Sequence, residues 1–208
     1  GNVLTINPGT SILFAYTDQL PARSGDGIGD YGIDIQGSLV SNGTAEQPVV
    51  FTAGTVGHKH VQAWDRLYIH GEGSELHHTF FEYGDRCLDL RDTVTLDHVT
   101  VRQCQVGIHQ VSDTGTWNNV VATRNVDAGV DMTNGTVNAT DCEFTDNGNQ
   151  GVYVSNGTLN LSDSVIEGNA GVGLEFYRLG NGRITRNQIT GNDHEGLRVG
   201  TDGSNDPT

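Results

Sequence analysis

Eight residues able to do acid–base, ionic or stacking chemistry recur along this chain at nearly one interval. They are Asp34, Tyr68, Asp89, His109, Asp131, Tyr153, Glu175 and Arg198. From Tyr68 onward each follows the one before it at a nearly constant step of about 22 residues. Nearly all sit between two apolar residues, as in Leu88-Asp89-Leu90 and Val130-Asp131-Met132. In an extended strand neighbours point to opposite faces, so this alternation turns the polar member outward. Arg66 and Arg86 precede the outward column, and His70, Arg91 and Tyr177 follow it two residues on. A face of threonine and serine would only keep a sheet soluble, whereas this one is rich in carboxylate, imidazole, guanidinium and phenol. His109 falls between Asp89 and Asp131, which would hold its tautomer and raise its basicity. The catalytic candidates are therefore His109, Asp89, Asp131 and Tyr153. Arg66, Tyr68, Arg86, Arg91, Glu175 and Tyr177 are the candidates for substrate binding, arginine for carboxylate or sulfate and tyrosine for stacking. If the repeats stack, Asp89 and Asp131 lie two rungs apart, about 9.6 Å, at the upper edge of the separation of an inverting acid/base pair.

Such a column exists only if the repeats superpose. Gly107, Gly129, Gly151 and Gly173 recur at that same interval, each opening a short alternating segment. A second segment follows, as in Thr136-Val137-Asn138-Ala139, and a third, as in Cys142-Glu143-Phe144. Helical periodicity is absent. Asn134-Gly135, Asn156-Gly157 and Asn181-Gly182 read as turns that tolerate positive φ. Asn125, Asn147, Asn169 and Asn192 keep the interval too, the register of an asparagine ladder running from rung to rung. No single coil can bury its own apolar face, so stacking must build the core. The expected inward columns are Leu67, Leu88, Ile108, Val130, Val152, Leu174 and Leu197, and beside them Ile69, Leu90, Met132, Val154 and Phe176. These observations specify an all-β parallel solenoid, three short strands per coil of ~22 residues and about eight coils.

Composition narrows the class. The 208 residues carry 26 acidic and 11 basic side chains, a net charge of −15, which disfavours a nucleic-acid partner. No apolar run is long enough to span a membrane. The three cysteines, Cys87, Cys104 and Cys142, have no disulfide or zinc spacing and read as small, partly buried turn residues. His58 and His60 fall in an irregular stretch and read as loop residues rather than zinc ligands. The one cofactor to consider is calcium, at Asp202, Ser204 and Asp206, whose 1-3-5 spacing is that of a calcium loop, or at the glycine-rich acidic segment Asp26–Asp30.

The repeats, with their Gly-Asn and Asn-Gly signatures, resemble the right-handed parallel β-helix repeats of the pectate-lyase-like superfamily. The opening, Leu4-Thr5-Ile6-Asn7-Pro8-Gly9-Thr10 followed by Gly32-Ile33-Asp34-Ile35, resembles the first coils of secreted bacterial members. The resemblance implies right-handedness and a single domain: 1–64 with irregular insertions, 65–200 regular, 201–208 a turn or linker toward the rest of a larger secreted or surface protein. It implies no one activity, since the architecture hosts lyases, hydrolases, epimerases, adhesins and spacers. The tyrosine-to-histidine motifs of uronate epimerases are absent. The leading expectation is an extracellular module that binds an acidic polysaccharide along the outward face, with lyase or inverting-hydrolase cleavage as its catalytic form. The alternative is a non-catalytic structural or adhesion segment.

Overall fold

In a computed structural model, which describes residues 1–15, 31–54, 59–111 and 113–200, the regular elements are all β-strands. They form two sheets of parallel strands wound into a solenoid.

Sheet 1 has eight strands: Ile33–Ile35, Trp64–Ile69, Gly84–Leu90, Val106–Gln110, Val130–Thr133, Val152–Ser155, Leu174–Tyr177 and Leu197–Gly200. Their register stacks Leu67, Leu88, Ile108, Val130, Val152, Leu174 and Leu197 in one column. All but Leu197, on the last strand, are buried. The parallel inward column is Ile69, Leu90, Gln110, Met132, Val154 and Phe176, where Gln110 puts a fully buried amide among apolar neighbours. The step from Ile33 to Leu67 is far longer than the six nearly equal steps that carry the column on to Leu197. About six regular turns therefore form, slightly fewer than the eight expected, because the first step is too long to be a regular coil.

Sheet 2 is bent. Ser74–Glu82 and Val94–Arg102 run through the bend as single strands. Later coils break there into two, as in Thr136–Thr140 and Glu143–Thr145. The bend is a column of left-handed residues: His78, His98, Asn119, Asp141, Asp163 and Arg186, all with φ between 40° and 56°. Asn134 (φ 65°) and Asn156 (φ 56°) turn the chain from sheet 1 to sheet 2, as their sequence implies. Asn181-Gly182 differs: both residues lie within the strand Asn181–Thr185, and the turn falls at Arg178 (φ 54°).

The ladder forms as expected and is buried over Asn125, Asn147 and Asn169. Each carboxamide donates to the next rung: Asn125 to Asn147 at 3.0 Å, Asn147 to Asn169 at 2.9 Å and Asn169 to Asn192 at 2.8 Å. The same oxygens accept backbone N–H groups of the preceding rung, which satisfies a buried turn that no strand pairing reaches. The repeated glycines belong to this device. A Cβ at Gly107, Gly129, Gly151 or Gly173 would stand 2.6–2.8 Å from the amide nitrogen of the ladder asparagine beside it.

The cysteines correct the expectation. Cys87 and Cys104 form a disulfide with Cα atoms 6.0 Å apart, and only Cys142 is free. Cys87 occupies the glycine column and Cys104 the asparagine column, one rung before Asn125, whose Oδ1 accepts the Cys104 N–H at 3.0 Å. The steric contact made by Gly107 with Asn125 is thus replaced one rung earlier by a covalent bond. Cys87 is accommodated by a register shift in the pairing of Trp64–Ile69 with Gly84–Leu90.

Candidate functional site

The eight outward residues stand in one column across sheet 1, Asp34 beside Tyr68, Asp89, His109, Asp131, Tyr153, Glu175 and Arg198 in turn. Strand alternation fixes the direction of each side chain and parallel pairing fixes its neighbours.

Facing outward does not make them accessible. Asp89 has no solvent exposure. Its carboxylate takes Arg91 at 2.6 and 3.1 Å and Arg66 at 3.1 Å, with His109 Nδ1 at 3.4 Å. Burial opposes its ionisation, but hydrogen bonds and charge from His109 and Arg91 prevail and hold its pKa down at about 2. Arg91 also lies over the Tyr68 ring, 4.9 Å from its centroid. Tyr68, Arg66, Asp89, Arg91 and His109 therefore form one ionic cluster at the centre of the face.

His109 links this cluster to the next rung. It is 9% exposed, and its Nε2 lies 3.9 Å from Asp131. Asp131 behaves oppositely to Asp89. Burial pushes its pKa up, assisted by the charges of Asp127 and Asp89 and only partly offset by His109 and Arg86. Burial likewise raises the Tyr153 phenol, so it stays protonated. The two aspartates are thus driven apart, Asp89 held down as a carboxylate and Asp131 shifted upward. Tyr153 and Tyr177 stack with centroids 6.1 Å apart. Glu175 is buried between Gln150 (3.0 Å) and Arg198 (3.5 Å).

Among the described residues the column borders two separate depressions. Arg66 and Tyr68 line a depression of about 350 Å³ with Asp34 and Asp65. Asp131 and Tyr153 line another of about 170 Å³ with Asp127, Asn149 and Gln150. The rungs of Asp89 and His109 lie between them. Arg86 is half-buried, one rung before Val106, which lines the smaller depression, and makes no ion pair with any described residue. Asp127 and Asn149 were not anticipated. Asn149 donates to Asp127 at 3.0 Å, and the two share the spacing of the repeat, but they lie in the turn before the strand rather than in it.

Asp202, Ser204 and Asp206, and the segment Asp26–Asp30, lie outside the described residues, as does His58. Among the described residues no three His, Cys, Asp or Glu side chains are placed to hold a metal ion. No described helix is long and apolar enough to cross a membrane.

The sequence matches the family described as "Right handed beta helix region" over residues 81–206, more than half of the chain. The chain belongs to the right-handed β-helix family. No curated protein gives a match. Among solved structures, this β-helix is similar to pectate lyase Pel9A, with 16% identity and a TM-score of 0.58 over 89% of this chain and 54% of that one. It also aligns with the A-module of the Azotobacter vinelandii mannuronan C-5 epimerase AlgE6, with 14% identity and a TM-score of 0.39 over 96% of this chain and 71% of that one. The chain spans about half the length of the lyase. The expected right-handed parallel β-helix is met, and an identity as low as that to the lyase carries the fold alone.

Proposed function

We propose that this β-helix is the carbohydrate-engaging part of a secreted or surface protein and holds an extended acidic polysaccharide across sheet 1. The observation that supports this most directly is Arg86. In a chain of net charge −15 it is a half-buried guanidinium without an ion-pair partner among the described residues, its charge felt at Asp131, on a sheet that carries the stacked Tyr153 and Tyr177 further along the axis. A uronate carboxylate would pair with Arg86 in the bidentate geometry that guanidinium favours, and the sugar faces would lie on the tyrosines. Arg66 is paired with Asp65 and Asp89, and Arg91 with Asp89, so they contribute shape and hydrogen-bond donors rather than free charge.

Cleavage is the stronger form of the same reading. Asp131, biased toward its acid form, would give its proton to the glycosidic oxygen as the bond to the leaving sugar breaks. Water would add to the anomeric carbon to form the new C–O bond, and the proton it loses would pass to His109 Nε2 and from there to Asp131, with Asp89 on the Nδ1 side as the positioning residue that fixes the ring. Asp89 has no exposed atom through which to activate water itself. The non-catalytic alternative is favoured by one observation, the division of the face into two small depressions.

The test is titration with polygalacturonate, alginate and sulfated glycans, together with absorbance near 235 nm (the unsaturated product of a lyase) and a reducing-end assay for hydrolysis. Saturable binding weakened about tenfold or more by Arg86→Ala would support the proposal. Binding to none of them would leave the structural alternative.

A further inference from the structure

A depression of about 430 Å³ lies on the outer face of sheet 2, away from the sheet 1 column. It crosses four successive strands, Thr114–Asn118, Thr136–Thr140, Thr158–Ser162 and Asn181–Thr185. Register superposes Thr116, Asn138, Asn160 and Arg183 along it. Its length is therefore three rung spacings of about 4.8 Å, each close to one pyranose unit of an extended chain.

Three properties distinguish it from an ordinary solvated face. First, no carboxylate lines it, although acidic residues outnumber basic ones 26 to 11 in this chain. Second, its charge is confined to one end, where Arg186 is paired with Asp163 and Arg183 has no ion-pair partner among the described residues. Third, its amides are half-used. Asn160 donates to Asn138 at 2.9 Å, which leaves N–H donors on both amides and an unused carbonyl acceptor on Asn160, one rung apart. Exchanging oxygen and nitrogen in both amides moves the unused carbonyl to Asn138 but still leaves donors beside an acceptor. An anion would call for donors and a cation for acceptors. Donors and an acceptor side by side suit a polyol, whose hydroxyls do both. Between these outward side chains the sugar ring would lie over the strand backbone at Ala139 and Leu161, whose side chains point into the core.

We propose that this depression is a second carbohydrate site, which takes an extended uncharged polysaccharide running along the solenoid axis. It goes beyond the sheet 1 reading and does not depend on it.

The test uses the full chain and five probes: cellohexaose, mannohexaose, xylohexaose and maltohexaose as neutral chains, and hexagalacturonate as the acidic one. Binding is read by calorimetry, and folding of each variant by circular dichroism and its thermal midpoint. At least one neutral hexaose is expected to bind saturably. Its affinity should fall about fivefold or more in Asn138→Ala/Asn160→Ala, and again in Thr116→Arg, which puts bulk on an exposed position at the other end. Arg86→Ala and Tyr153→Ala should leave neutral binding unchanged, and the sheet 2 variants should leave hexagalacturonate unchanged. Absence of saturable binding by all four neutral hexaoses overturns the proposal. So does neutral binding that responds to Tyr153→Ala but not to the sheet 2 variants. Failure of the acidic hexaose alone counts against the sheet 1 reading only.

Discussion

Asp89 and Asp131 occupy the same column two rungs apart, yet their surroundings give them opposite character. Asp89 is ionised deep in the acid range because two arginines and His109 surround it. A carboxylate whose folded pKa lies below its unfolded value stabilises the fold above the unfolded pKa. That contribution, of order 2 kcal/mol here, is lost as pH falls from about 4 through about 2. In Asp89→Asn the acid-dependent loss should shrink by that amount. The variant should also be about 3 kcal/mol less stable at neutral pH, since two arginines lose their shared partner. Urea titrations across pH would measure both. Asp131 has the opposite sign, because its folded pKa is raised and protonation relieves a burial cost. Affinity for polygalacturonate should therefore rise as pH drops through the upper carboxylate range, and Asp131→Asn should flatten that rise. His109→Gln is the control for the imidazole 3.9 Å away. The sequence placed every one of these residues in its column, because strand alternation and the repeat determine direction and order. It did not reveal that the centre of the face is closed, because that depends on how Arg66 and Arg91 reach sideways from flanking positions, and no periodicity encodes a rotamer.

The elements that superpose these side chains are held by two linked columns, glycine and asparagine. Asn147 donates to Asn169 and to the Ala122 carbonyl and accepts from the N–H and carboxamide of Asn125. Asn147→Ala leaves several buried polar groups unpaired and should cost about 3 kcal/mol or more. Asn192→Ala, at the partly exposed end, should cost about 1 kcal/mol. Gly129→Ala tests the steric half of the device. Its Cβ would meet the Asn147 amide at 2.7 Å, so it should destabilise by more than ordinary helix or strand propensities explain. The disulfide sits in the same contact one rung earlier and closes a loop of 17 residues, which chain-entropy arguments value at about 3 kcal/mol. Reduction should lower the unfolding midpoint accordingly. Cys142 should stay unreactive toward thiol reagents until unfolding, since burial pushes its pKa up to about 11. Cysteine spacing alone could not disclose the bridge. Alignment of Cys87 with Gly107 and of Cys104 with Asn125 could, since those columns touch throughout the repeat.

Across the whole molecule stability is a sum of rung-to-rung contacts, so it should vary along the axis rather than unfold as one value. The central rungs pack on both sides: Leu88, Ile108 and Leu90 have no exposure. The last described rung packs on one side, leaving Leu197 49% and Val199 75% exposed. Amide exchange should be slowest in Gly84–Leu90, Val106–Gln110 and Val130–Thr133, and fastest in Gln188–Thr190 and Leu197–Gly200. The regular turns were legible in sequence because each repeats the previous one. The irregular first step was legible only as a break in the period, since a segment that does not repeat offers no register to read. The same gradient bears on function. Asp89, His109 and Asp131 lie on interior strands paired on both sides, and a site that must present fixed charges to a glycan gains from surroundings that do not reorganise on binding. If exchange were instead fastest at Val106–Gln110, the ionic cluster would not be preorganised, and the pH dependence expected of Asp131 should vanish with it.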